Sequence, residues 1–178
     1  MIKSIICAGL GGQGVLTAGK LLMHAAHEKD LNVTWFPSYG NEMRGGNANC
    51  NVIISDKKIA SPYADTPDVV MAMSNSAVDI YEETMAPGGV LYVNSSLVDE
   101  NRKYRDDIRV VKFPATEIAL KMKREVNANL CMLGKIIADS GLFTIEEFEK
   151  AMCNYFDEAG KGKFNKSNKE VVRAGYEN

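Results

Sequence analysis

The sequence predicts an α/β fold: a Rossmann-like open sheet, mostly parallel with an antiparallel hairpin, helices on both faces, and a helical C-terminal part. Three observations predict it. An isoleucine-rich run, "IKSIICA", is followed by the glycine turn "GLGGQG" and then by apolar residues at helical spacing. Short β-prone runs then alternate with helical stretches as far as residue 114. From Ala115 onward only helical periodicity persists.

Ile2 to Ala8 reads as a buried first strand, and Val15 to Lys29 as a helix with Leu16, Leu21, Leu22, Ala25 and Ala26 on its apolar spacing. Asn32 to Phe36 is β-prone and is expected as strand two, closed by Pro37. The segment "PSYGNEMRGGNAN" has no apolar period and reads as a long loop, a feature that is usually functional inside a compact domain. Cys50 to Ser55 and Lys58 to Ala60 flank Asp56-Lys57 and are expected to form the hairpin that makes the sheet mixed. Asp68 to Met73, Gly89 to Asn94 and Arg109 to Phe113 supply further strands, with a helix over Ser76 to Met85 that stops at Pro87-Gly88-Gly89. The connection Lys103 to Arg109 mixes charges and reads as solvated.

Helices are expected at Thr116 to Val126, Ala128 to Asp139 and Thr144 to Phe156, the last opened by a capping box of Thr144 with Glu147. Lys163 to Lys169 reads first as a disordered tail and second as an arm that orders on a neighbouring subunit. The expected organisation is one domain over 1–178, with an α/β core at 1–114 and a helical part at 115–178.

With 46% hydrophobic and 25% charged residues, 178 residues suffice for one real core. A net charge of -2 provides no positive field for nucleic acid or an anionic membrane, and neither is expected as a partner. No run approaches the ~20 apolar residues of a membrane helix. Nothing resembles a secretion signal, so a cytoplasmic location is expected. Cys7, Cys50, Cys131 and Cys153 form no Cys-x-x-Cys pair and read as reduced core residues. Any metal cluster used in electron transfer is therefore expected on another chain. His24 and His27 share a helix face but lack a visible third ligand.

Gly9, Gly11 and Gly14 fit the dinucleotide fingerprint, whose glycines permit a tight turn, a close backbone approach and helix packing. A dinucleotide reader also needs an acid at the end of strand two, where this chain has Phe36, Pro37 and Ser38. Asp30 stands at the strand's wrong end. Gln13, an amide at a helix start, suits an anion or carbonyl contact, or a solvated turn. In the second loop, "YGNEMRGG" places an aromatic ring, a carboxylate and a guanidinium among glycines at the carboxyl end of strand two. Glu42 and Arg44 can pair there, and an exposed pair of that kind is worth about 0–1 kcal/mol.

"GLGGQGVLTAGKLL", "PSYGNEMRGGNANCNVIIS" and "SP…PDVVMAMS", in this order, resemble the gamma subunit of the 2-oxoacid:ferredoxin oxidoreductases. The likeness runs through the helical end. It implies one part of an enzyme in which alpha, beta and ferredoxin-like delta subunits carry thiamine diphosphate, Mg2+ and the iron–sulfur clusters. The assembled complex would convert a 2-oxoacid to acyl-coenzyme A and CO2 and reduce ferredoxin. By the resemblance, Gly11, Gly12, Gln13 and Gly14 match the first motif, assigned to turn formation and a phosphate or coenzyme A contact. Tyr39, Gly40, Glu42, Arg44, Gly45 and Gly46 match the second, assigned to the subunit and coenzyme A interface. No catalytic residue and no metal ligand is expected here. The loop spelling resembles the 2-oxoglutarate or branched-chain type, with pyruvate retained as a substrate. The competing readings are a stand-alone NAD(P)-binding oxidoreductase and a non-catalytic phosphate-gripping module.

Overall fold

A computed structural model describes residues 2–39 and 46–178. Its six-stranded sheet has the order β2-β3-β1-β4-β5-β6. The strands are β1 (Ile2–Leu10), β2 (Asn32–Tyr39), β3 (Asn47–Ser55), β4 (Val69–Ala72), β5 (Val90–Asn94) and β6 (Arg109–Phe113). β1, β4, β5 and β6 pair in parallel, whereas β3 lies antiparallel to both β1 and β2. The expected class is the observed one, with β3 alone running against the rest among the described residues.

The antiparallel partner differs from the one expected. β3 pairs with β2, from Asn32 opposite Ser55 to Tyr39 opposite Ala48, and residues 58–60 form no strand. Pro37 lies inside β2 and does not close it, opposite Cys50. Its missing N–H is tolerated because β2 is at the sheet edge, with β3 its one neighbour.

Side-chain alternation explains the two covered faces. Ile5, Cys7, Met71 and Tyr92 face one core, and Ile6, Ala8, Val70, Ala72, Leu91 and Val93 face the other. The second core is covered by α2 (Asn75–Tyr81) through Ala77 and Val78. The first is covered by α1 (Val15–Glu28), which buries Ala18, Leu21, Leu22 and Ala25. α4 (Ala128–Ser140) and α5 (Ile145–Glu158) share that same core through Leu133, Ile136 and Phe148. The helical C-terminal part is therefore a continuation of the layer begun by α1.

Local signals account for most boundaries. Ser74 accepts the Ala77 amide at 3.2 Å and starts α2. The capping box at Thr144 and Glu147 forms as expected. The helix expected over Thr116 to Val126 instead divides into α3 (Ala115–Lys121) and a 3₁₀ turn at Glu125–Asn127, with Lys123 at φ 58° between them. The Lys103 to Arg109 connection is largely exposed, as expected, and is also pinned. Arg105 donates to the carbonyls of Glu82 (2.8 Å) and Met85 (3.1 Å) and bonds Asp107 at both carboxylate oxygens.

The supposed tail is α6 (Asn165–Glu177), which buries Asn168, Val171, Val172 and Gly175 against α4. Two glycines set this approach. A Cβ on Gly134 would collide with the Val172 carbonyl, and one on Gly175 with the Cys131 carbonyl. Buried Glu149 of α5 then holds Arg173 of α6 in a fork, Nε to Oε1 at 2.5 Å and Nη2 to Oε2 at 2.9 Å. Gly175→Ala should push α6 off α4 and destabilise the chain by about 1–3 kcal/mol in urea unfolding. A loss below about 0.5 kcal/mol, the range of ordinary surface substitutions, would show that the two helices tolerate separation.

Candidate functional site

The carboxyl ends of β1, β2 and β4 form one rim, and three connecting segments meet there. Leu10 ends β1 directly opposite Asn47, the first residue of β3. One residue further on each side, the Gly11 N–H donates to the Gly46 carbonyl at 2.8 Å. The first glycine turn and the end of the second glycine loop are thus bonded backbone to backbone. Ser76, in the first turn of α2, donates to Asn47 Oδ1 at 2.9 Å and links the second loop's exit to β4 and α2.

Gln13 locks the first turn. Its Oε1 accepts the Leu10 N–H at 2.7 Å, and its Nε2 donates to the Met73 carbonyl at 3.0 Å, just past β4. Both polar atoms of its side chain are thus bonded within the chain. Gly9 is required beneath it, since a Cβ there would meet Gln13 Oε1 and lie 2.9 Å from Met73 Cβ. Gly12 has φ 99° with nothing within 4 Å of a would-be Cβ, so the backbone angle, and no clash, excludes larger residues. Gly14 starts α1 at φ 72°, and its carbonyl accepts Asn129 Nδ2 at 3.0 Å.

Gly40, Glu42, Arg44 and Gly45 lie outside the described residues. Tyr39 ends β2, and Gly46 is placed by its bond to Gly11. Asn47, Met73 and Ser76 were not singled out from sequence. Each is joined to the rim across at least 29 positions, so no local signal marks it.

The arrangement is a poor dinucleotide reader for a geometric reason. β3 lies between β1 and β2, so the end of β2 stands two strand spacings from the glycine turn, roughly 10 Å, instead of one. The switch point between β1 and β4 is bridged by the Gln13 amide. Asp30, the nearest acid to β2, precedes the strand at φ 55°.

No cluster of three or more His, Cys, Asp or Glu suited to a metal occurs among the described residues. Two of the cysteines are held as thiols. Cys7 lies opposite Cys50 in the β1·β3 ladder, and its thiol is held well above the usual range by its hydrogen bond to Cys50 and by burial. Burial pushes the Cys131 thiol up to about 12. His24 stacks edge-on against Tyr155, ring centroids 5.0 Å apart. Among the described residues, no helix is long and apolar enough to cross a membrane.

An open α/β sheet with one inserted antiparallel strand, a glycine rim and a helical C-terminal layer is the fold of a known oxidoreductase component. A gamma subunit of a keto/oxoacid ferredoxin oxidoreductase from Geobacter sulfurreducens PCA superimposes with a TM-score of 0.84 at 30% identity, covering 99% of this chain and 95% of that one. The family model described as pyruvate ferredoxin/flavodoxin oxidoreductase matches residues 4–178, and the chain belongs to that family. Ketoisovalerate oxidoreductase subunit VorA of Methanothermobacter thermautotrophicus is 36% identical over 170 residues, 96% of this chain and 35% of that protein. 2-Oxoglutarate synthase subunit KorC of Methanocaldococcus jannaschii is 35% identical over 156 residues, 86% of this chain and 83% of that protein. The chain spans about a third of the length of the VorA relatives it matches.

Replacing Gln13 by Ala removes both rim bonds at once. A destabilisation of about 1–3 kcal/mol is expected by chemical denaturation, because the Leu10 N–H and Met73 carbonyl lose a partner in a half-buried site. An unchanged midpoint would mean that the amide does not clamp the turn.

Proposed function

We propose that the chain is the gamma component of a multi-subunit 2-oxoacid:ferredoxin oxidoreductase, which converts 2-oxoglutarate, 2-oxoisovalerate or pyruvate with coenzyme A to acyl-coenzyme A and CO2. Two electrons pass to ferredoxin. The observation that carries this reading is the Gly11 to Gly46 bond, which ties the first glycine turn to the last residue of the second motif in a chain whose residues 4–178 match the family. The relatives named for ketoisovalerate and 2-oxoglutarate support the substrate class.

Among the described residues the donors form no metal cluster, and Cys7, Cys50 and Cys131 are buried in strands and a helix while Cys153 is half-buried. Thiamine diphosphate, Mg2+ and the iron–sulfur clusters accordingly belong to alpha, beta and ferredoxin-like delta partners in a cytoplasmic complex. The role of this chain is to bind and orient. Gly11, Gly12, Gln13 and Gly14 form the turn over which a coenzyme A phosphate passes, with open space above Gly12 for its approach. Tyr39, Gly40, Glu42, Arg44, Gly45 and Gly46 form the subunit and coenzyme A interface, with Arg44 supplying the charge.

Purification from the native cell should recover the chain with a thiamine-binding subunit, and the chain alone should be colourless and silent. Full activity from the lone chain would overturn the proposal. Arg44→Ala should leave the melting temperature within the range of surface substitutions yet weaken assembly or raise the KM for coenzyme A. Gly12→Val should destabilise the turn by about 1–3 kcal/mol, because φ 99° is denied to a β-branched residue.

A further inference from the structure

Two thiols that the proposed function does not use face each other beneath the glycine rim. The bond from the Gly11 N–H to the Gly46 carbonyl marks those residues as a hydrogen-bonded pair at the end of the β1·β3 ladder. Such pairs alternate along an antiparallel ladder, so Gly9 with Ala48 and Cys7 with Cys50 are of the same kind. The Cα atoms of a hydrogen-bonded pair stand about 5.5 Å apart, the separation that disulfides most often have. Both side chains lie on the sheet face covered by α1, and the Cys7 thiol is hydrogen-bonded to Cys50. Both residues are fully buried, so each sulfur has the other as its partner and only a small oxidant can reach them.

A second observation concerns the surroundings of Cys50. Its Sγ lies 3.5 Å from the Val15 carbonyl, where α1 passes over β3. A Cβ on Gly19 would collide with Cys50 Sγ and stand 2.9 Å from Trp35 Nε1, which places the indole N–H beside the sulfur. That N–H is enclosed and has no hydrogen-bond partner in the chain as it stands. Enclosed donors are nearly always satisfied. A neutral thiol is a weak acceptor, whereas a thiolate or a sulfenate oxygen is a strong one. The Cys7 hydrogen bond first, and the Trp35 N–H after it, hold the Cys50 thiol below its usual range against the opposing effect of burial.

We propose that Cys7 and Cys50 form a reversible intrachain disulfide, with Cys50 as the attacking sulfur and hydrogen peroxide as the oxidant. The Cys50 thiolate attacks one peroxide oxygen and the O–O bond breaks, leaving a Cys50 sulfenic acid and a hydroxide that takes up the proton Cys50 has lost. The Cys7 sulfur then attacks the Cys50 sulfur, the S–O bond breaks, and the oxygen leaves as water with the Cys7 proton. The thiol pair gives up two electrons, and one peroxide becomes two waters. The Cβ atoms of a hydrogen-bonded pair start about 5.5 Å apart and must close to about 4 Å, so the bond is strained and readily reduced. It ties together the two strands that bring the glycine segments to the rim, and it does not rest on the function proposed for that rim.

Peptide mapping of the folded full chain, after brief peroxide treatment and alkylation under denaturing conditions, tests the assignment. Two of the four thiols should be lost together, in a linked Cys7–Cys50 peptide that dithiothreitol separates. Cys7→Ala should leave a Cys50 sulfenic acid that dimedone traps, and Cys50→Ala should leave Cys7 unmodified. Trp35→Phe should slow disulfide formation about tenfold, the loss of one hydrogen bond to a charged group. Four surviving thiols in the folded chain, oxidation confined to the half-buried Cys153, or a disulfide that forms only in urea would each overturn the proposal.

Discussion

The antiparallel insertion of β3 between β1 and β2 is the constraint on which the rest of this structure depends. A β-α-β crossover normally sets its two parallel strands side by side, and here β1 and β2 keep the same direction but stand one strand apart. Because β3 runs backwards, its first residue, not its last, lies at the rim beside the end of β1. The loop that leads into β3 is thereby delivered to the glycine turn that leaves β1. Had β3 run parallel, its start would lie at the opposite edge of the sheet, about 25–30 Å away for a strand of this length.

This arrangement also changes what a glycine turn can do. In a dinucleotide site the turn faces a free crevice with an acid on the neighbouring strand. In this chain Gln13 bridges the switch point from Leu10 to Met73 and converts the crevice into a braced edge. The exposed backbone of Gly12 remains the part of the turn a ligand can approach, which is why the proposed role is contact and orientation rather than redox chemistry.

The C-terminal helices complete the same layer. α5 lies on α1 and α6 on α4, and the close backbone approach at Gly134 and Gly175 lets α6 join the apolar core that α1 and α4 build on the sheet.

Composition and periodicity by themselves determined the α/β class, nearly every element of the core, the two glycine motifs and the capping box at Thr144, because each is a local pattern of apolar spacing or backbone chemistry. They did not reveal the partner of β3. Asn32–Tyr39 and Asn47–Ser55 pair across a long loop, whereas Asp56-Lys57 offered a nearer but false turn. They also misjudged α6, whose polar sequence carries few apolar residues and becomes a helix through contact with α4. The clamp made by Gln13, the Asn47 to Ser76 link and the bond from Gly11 to Gly46 were decided only by tertiary structure. Each joins residues tens of positions apart, and chain spacing carries no record of which strands become neighbours.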